Sequence, residues 1–292
     1  MIRVAPCRGS FRGGTPLALF GADLDMSACS DDLTGAGLNA IWTDESAGGG
    51  VVAPTPAVPA LTFTSSATPG ASARLVTVDD ATDVDVEVTF QLLRDTRVAG
   101  RNVYGSLGLV AATTVTFQVG GDRTGRLAVV HVERGGQVLL HLEQTLAPST
   151  ALGEAATLRL LRAGQDVTLF LSGEPLTTFK TSTEAAQVVL EVLNDPTEAS
   201  EVDAALIAYM RRPVVVFGTA PMLDYVPHGA TQATGSTPEV SAALDTIPVT
   251  VTASGGVVVA EDAFTFTRER DLIRFDGRQS LTVINDERLT KR

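Results

Sequence analysis

TLRLLRAGQDVTLFLSGEPLTTF, residues 157–179, reads as two β-strands folded on an Ala163-Gly164-Gln165 turn, followed by a second turn at Ser172-Gly173-Glu174. Apolar residues fall at Leu158 and Leu160 before the first turn and at Val167, Leu169 and Leu171 after it, the period of two that marks a half-buried sheet. Arg159 and Arg162 stand among those leucines. A half-exposed antiparallel sheet alternates apolar with polar residues, so both arginines are expected on the solvated face, their stems packed along it. Neither then needs a catalytic or ligand-binding role.

The pattern extends outward from this hairpin. DVDVEVTFQLL, residues 83–93, puts Val84, Val86, Val88, Phe90 and Leu92 on one side and Asp85, Glu87, Thr89 and Gln91 on the other, a strand with a dry face and a wet face. TTVTFQV, RLAVVHVE and QVLLHLE follow, the last two separated by Arg134-Gly135-Gly136, and QVVLEVL and VDAALIAYM come after the hairpin. Short strands broken by Gly-rich turns, with no helical period between them, predict an all-β, two-sheet antiparallel sandwich over about residues 61–210.

Composition agrees. Only 19% of the 292 residues are charged against 44% hydrophobic, and 27 Gly and 14 Pro suit many turns. The net charge of −12 opposes a nucleic-acid backbone or an anionic membrane surface as partner, and no stretch approaches the roughly 18 apolar residues of a spanning helix. MIRVAPCRGSFRGG at the N-terminus lacks the apolar run of a secretory signal, so synthesis in the cytoplasm without Sec export is expected. Two cysteines, Cys7 and Cys29, exclude a disulfide framework; they read as one bridge or as two small buried apolar residues.

Three phrases carry a family resemblance. SDDLTGAGLNAIWTDES, residues 30–46, resembles the opening of concanavalin A-like jelly-roll domains, with Trp42 as the core aromatic. LRLLRAGQDVTLFLSG is similar to a laminin G-like strand–turn–strand phrase, and VVLEVLNDPTEASEVDAALIAYM resembles the closing pair of strands of the same fold. The resemblance implies a jelly roll over residues 29–211.

The ends resemble a different family. IRVAPCRGSFRGGTPLALFGADL, residues 2–24, is similar to the opening of immunoglobulin-like IPT/TIG domains, with its Gly13-Gly14-Thr15 phrase. RPVVVFGTAP, with Phe217, Gly218 and Pro221, and IPVTVTASGGVVVAEDAFTFT, residues 247–267, resemble the later strands of that family. The expectation is a small Ig-like sandwich split into residues 1–28 and 212–267, with the jelly roll inserted between the parts. Two strands before residue 28 cannot bury a core alone, so Ile2–Val4 or Leu17–Phe20 should ladder with strands beyond residue 211. Residues 268–292 remain as a tail, in which Asp276-Gly277 sits between LIRF and LTVI as the turn of a docking hairpin.

The side chains that could carry chemistry are sparse. Glycosidases of the concanavalin A-like fold carry carboxylates as Glu-x-Asp-x-x-Glu, about 5 to 5.5 Å apart for retention, and that phrase is missing here; the nearest acidic cluster is Asp79, Asp80, Asp83, Asp85 and Glu87. His131 and His141 fall on adjacent strands and His228 lies apart, a pattern of cross-strand pairing rather than of a metal site. Asp31 with Asp32, Asp44 with Glu45, and Asp79 with Asp80 and Asp83 are eligible calcium turns, read as solvated acidic turns because no dense Asp-x-Asp-x-Asp-Gly loop exists. With one Trp and three Tyr, Tyr104 and Tyr225 are the candidate platforms for stacking a sugar.

These readings give no catalytic, cofactor or metal residues, and the chain is expected not to be an enzyme. Modules of these two families without a secretion signal suggest export inside a particle. The main expectation is a bacteriophage structural protein of the tail, tail tip or capsid decoration, partnered by other virion proteins and by itself. The alternatives are a host-receptor or glycan-binding module and, more remotely, a degenerate glycosidase.

Overall fold

The computed structural model describes residues 2–22, 24–25, 31–55, 58–96, 100–122, 125–147, 152–240, 244–253 and 256–267, together with the strands at 273–275 and 281–283. Every regular element among them is a β-strand. The chain divides into two compact units, Met1–Ala28 with Arg212–Arg292, and Cys29–Arg211.

The first unit begins with β1 (Arg3–Ala5), β2 (Arg8–Ser10) and β3 (Pro16–Phe20). The second holds β4 (Trp42–Asp44), β5 (Val51–Pro54), β6 (Leu61–Thr64), β7 (Ser72–Thr77), β8 (Val84–Asp95), β9 (Asn102–Val110) and β10 (Thr113–Asp122). It continues with β11 (Gly125–Arg134), β12 (Gln137–Ala147), β13 (Ala155–Ala163), β14 (Asp166–Leu171), β15 (Glu174–Lys180), β16 (Gln187–Leu193) and β17 (Val202–Arg212). The first unit resumes with β18 (Val214–Phe217), β19 (Ala220–Pro221), β20 (Leu223–Pro227), β21 (Gln232–Ser236), β22 (Leu244–Ala253) and β23 (Gly256–Thr267), then β24 (Ile273–Phe275) and β25 (Leu281–Val283).

In the Cys29–Arg211 unit two seven-stranded sheets, β12-β11-β10-β9-β16-β7-β4 and β15-β14-β13-β8-β17-β6-β5, enclose one core. Alternation built it: Val86, Val88 and Phe90 of β8, Phe117 of β10, Leu158 and Leu160 of β13 and Leu190 of β16 are fully buried. Phe63 and Phe90 meet edge to face at 5.7 Å, and each such ring contributes about 1.5–3 kcal/mol by leaving water. The turns follow from left-handed backbone. Gly135 and Gly136 both have positive φ between β11 and β12, as do Ser172 and Gly173 between β14 and β15, the two-residue geometry whose twist matches paired strands. VVLEVL and VDAALIAYM do not pair with each other: β16 joins β7 and β9, whereas β17 joins β6 in the opposite sheet.

The two arginines of the opening hairpin part company. Arg159 does face outward, but its Nε and Nη2 each bond the buried Asp85 carboxylate at 2.8 Å, and its guanidinium lies 5.0 Å from the centre of the Phe170 ring. Arg162 is not on the solvated face. It is 2% exposed and donates to the backbone carbonyls of Thr82 at 2.6 Å, Ala81 and Glu184, stitching two loops to the end of the core.

The other unit carries a four-stranded sheet, β1-β3-β21-β20, and a five-stranded one, β19-β18-β22-β23-β2. Its early strands ladder with late ones: Leu17 faces Gly235 and Leu19 faces Ala233, while Arg8–Ser10 runs parallel to Thr265–Thr267. Phe217, Phe264 and Phe266 form its aromatic core, with ring centres 4.9–6.2 Å apart. Cys7 is exposed with a free thiol, which corrects the buried reading for that residue; Cys29 lies outside the described residues.

Candidate functional site

The sequence candidates occupy structural positions. Asp31 is 6% exposed and accepts from the Trp42 indole Nε1 and the Leu33 amide, both at 2.9 Å, so it anchors the core aromatic. Asp32 accepts from the hydroxyl and amide of Thr34, which hold its carboxyl below the usual range. Asp44 caps the Ser46 amide, Glu45 lies 3.5 Å from Arg74, and Asp83 accepts from the Gly164 amide. Tyr104 and Tyr225 are 1% and 7% exposed, so neither is a platform for a sugar; the Tyr225 hydroxyl donates to the Leu24 carbonyl at 2.6 Å. His228 bonds the Thr234 hydroxyl.

The histidine pair behaves differently. Register places His131 of β11 directly opposite His141 of β12. Their rings meet edge to face at 5.7 Å, with the two Nδ1 atoms 3.5 Å apart, and His131 Nε2 lies 3.5 Å from Glu133. Both rings line a groove of about 350 Å³ with Arg101, Val103, Thr116, Gln118, Gly120, Leu127 and Val129.

This groove lies on the face of the first seven-stranded sheet that points away from the core. Strand parity builds its floor, because residues alternating with the buried Val115, Phe117 and Val119 must project outward. Two rows cross the sheet. One runs Arg74, Glu191, Ser106, Gln118, Val129, Glu143, and the other Val76, Val189, Gly108, Thr116, His131, His141. The register of β9 and β10 shifts between Val119 and Gly120. A Cβ at Gly120 would sit 2.3 Å from the Asn102 carbonyl oxygen, so only glycine permits that close approach beneath the groove.

Arg101 is held from both ends. Its backbone amide donates to Asp195 Oδ2 at 2.7 Å, Asp195 also accepts from the Thr197 amide and hydroxyl, and the Asp195 amide donates to Asn102 Oδ1. Its guanidinium grips Glu143 through two nitrogens at 2.9 and 3.2 Å. The groove therefore presents a fixed guanidinium, two imidazoles, an amide and a hydroxyl beside the apolar Val103, Leu127 and Val129. On the same face, burial pushes the Glu191 carboxyl above the usual carboxylate range, against the opposing pull of Arg74 and a hydrogen bond from Ser72.

No protein-family model matches the chain, and no curated protein matches it in sequence. Solved structures do resemble it. A GlcNAcα1-4Gal-releasing endo-β-galactosidase from Clostridium perfringens superposes with a TM-score of 0.50 at 9% identity, covering 75% of this chain and 69% of that one. The β-glucanase of Bacillus licheniformis gives 0.47 at 12% identity over 62% of this chain and 95% of that one. The carbohydrate-binding module CBM66 from Bacillus subtilis gives 0.41 at 14% over 59% and 95%.

The chain has the concanavalin A-like jelly-roll fold. That finding overturns the expectation that the protein is not an enzyme: its fold is one that solved glycoside hydrolases share, the endo-β-galactosidase among them. The missing Glu-x-Asp-x-x-Glu phrase removed one arrangement of carboxylates and could not exclude others on the same sheet, such as one built on Glu191. Arg101, Thr116 and Gln118 went unnoticed in the sequence. The wet side of TTVTFQV signalled the last two, whereas Arg101 precedes its strand and carries no local signal.

Proposed function

We propose that the jelly-roll unit binds carbohydrate in the groove over β9–β12. The observation that carries this reading is the lining itself: Arg101, Gln118, Thr116, His131 and His141 converge around an open groove with apolar patches between them. A saccharide asks for that mixture, since its hydroxyls need donors and acceptors while its C–H faces need dry contact. The fold shared with an endo-β-galactosidase supports the reading. Binding glycan stands ahead of assembly in a phage particle, which rests on sequence resemblance alone, as does the Ig-like assignment of the smaller unit.

The test is a glycan array followed by calorimetric titration of each hit. Gln118→Ala and His131→Ala should each weaken binding about tenfold, the worth of one lost hydrogen bond of about 1.4 kcal/mol, with melting temperatures unchanged. Thr178→Ala, on the exposed face of the opposite sheet, should bind as the parent does. A failure to bind any glycan at millimolar concentration, or groove variants that bind normally, would sink the proposal.

Hydrolysis of the same glycan is a second reading, favoured by Glu191. A carboxyl whose hold on its proton is strengthened by burial is suited to protonate a leaving oxygen, and Glu191 is two strands from Gln118 in the same cross-sheet row. Reducing ends released by the parent but not by Glu191→Gln would establish it; equal release by both would remove Glu191 from the chemistry.

A further inference from the structure

Register sets His131 directly opposite His141, and their Nδ1 atoms lie 3.5 Å apart. That is longer than the roughly 2.7–3.2 Å of an effective N–H hydrogen bond. It is close to the separation of two nitrogens held by one ion: at a zinc–imidazole distance of about 2.0–2.1 Å, tetrahedral ligands stand about 3.3–3.4 Å apart. Square-planar ligands at that distance would stand about 2.9 Å apart. The rings are inclined at 72° rather than stacked, so neither ring covers the Nδ1 of the other. The second nitrogen of His131, Nε2, lies 3.5 Å from Glu133. That distance is also beyond a full hydrogen bond, yet the negative charge favours the tautomer with its proton on Nε2 and leaves the Nδ1 lone pair facing His141. A carboxylate on the far nitrogen is the usual partner of a metal-bound histidine.

We propose that His131 and His141 form a two-histidine site for a divalent transition-metal ion, zinc in particular, bound through both Nδ1 atoms in the groove. Imidazole selects such ions over calcium and magnesium, which take oxygen ligands, and the tetrahedral spacing favours zinc over copper(II). Among the described residues no group of three or more His, Cys, Asp or Glu side chains is placed to hold a metal, so the protein supplies two ligands. Both rings line the groove of about 350 Å³, which leaves the other two positions to water or to oxygen atoms of a molecule bound there. Cross-strand pairing, expected from the sequence, is what builds the site, because a ladder fixes directly opposite side chains at close range. Arg101 lines the same groove, but its guanidinium is bound to Glu143, so its charge is balanced, and Glu133 adds a negative charge beside His131. The inference stands apart from the carbohydrate reading, since binding of the ion requires no sugar.

Calorimetric titration of the full chain with zinc chloride tests the site, in a background of Cys7→Ser with Cys29→Ser that removes both thiols. One zinc should bind with a dissociation constant on the order of 10 µM, because two of the four ligands of a structural zinc site supply about half its binding free energy. Calcium chloride should give no heat of binding over the same range. His131→Asn and His141→Asn should each weaken zinc about a hundredfold by the same reasoning, with melting temperatures unchanged. In the histidine-intact protein labelled with nitrogen-15, zinc should move the Nδ1 resonances of both rings more than their Nε2 resonances, a readout that needs no variant to fold. Absence of saturable zinc binding at about millimolar concentration, binding that survives either histidine variant, calcium held as tightly as zinc, or coordination through Nε2 would each overturn the proposal. The titrations contain no glycan, so their failure leaves the carbohydrate reading standing, and a blank glycan array leaves the metal site standing.

Discussion

The Trp42 indole donates its Nε1–H to Asp31 Oδ2 across 2.9 Å, and both side chains are buried. Trp42 also packs edge to face on Tyr209 at 4.9 Å, so this bond ties the stretch before β4 into the core of the sandwich. Asp31→Ala strands both the indole N–H and the Leu33 amide. It should cost about 2 kcal/mol in urea unfolding, and a double-mutant cycle with Trp42→Phe should return a coupling of about 1 kcal/mol. A coupling near zero would mean that Asp31 acts only through Leu33.

Asp85 and Arg159 form a pair that is worth more as a unit than as its parts. Asp85 is 3% exposed and bonded twice by Arg159. Arg159→Leu leaves a buried carboxylate without that partner and should destabilise by about 3 kcal/mol, whereas Asp85→Leu with Arg159→Leu should recover most of the loss. If the double variant is no more stable than the single one, the pair contributes net stability rather than only satisfying itself.

Arg162 supports a separate prediction, because it binds backbone rather than carboxylate. Arg162→Leu deprives the carbonyls of Ala81, Thr82 and Glu184 of their donor and should cost about 2–4 kcal/mol. Hydrogen exchange should speed up in those two loops before it does so in β13. Uniform exchange across the unit would show that the loops are held by other contacts.

The contrast between these arginines shows what the sequence could and could not reveal. Three residues apart in one strand, they must lie on opposite faces, so parity already separated them; what parity could not supply was the set of loop carbonyls that makes an inward arginine tolerable. Trp42 and the dry side of β8 were legible because each is a local pattern. Tyr104 was not, since all of β9 from Asn102 to Leu109 is buried and the alternation that betrays exposure is missing there. The groove was illegible for a third reason. It is assembled from β9 to β12 and the residue before β9, and no short phrase contains more than two of its polar groups.

Glu191 gives the pH dependence its sign. Burial raises its carboxyl in the folded chain above the value it has unfolded, so between those two values the folded state binds the extra proton and stability falls as pH rises. Above the raised value the folded chain carries the full cost of a desolvated carboxylate; below the unfolded value the cost is gone. Glu191→Gln keeps a neutral group of the same shape beside Ser72 and removes the titration. The variant should therefore melt at a higher temperature than the parent at pH 8, and the difference should shrink steadily toward pH 4. Arg74, which faces Glu191 across β7 and β16, opposes the shift, so Arg74→Met should enlarge the pH dependence of the parent and leave that of Glu191→Gln flat. A parent and a Glu191→Gln variant with parallel melting curves from pH 4 to pH 8 would show that the carboxyl stays charged and hydrated in the folded protein. It would then be no candidate for the acid of a glycan-cleaving reaction at this face.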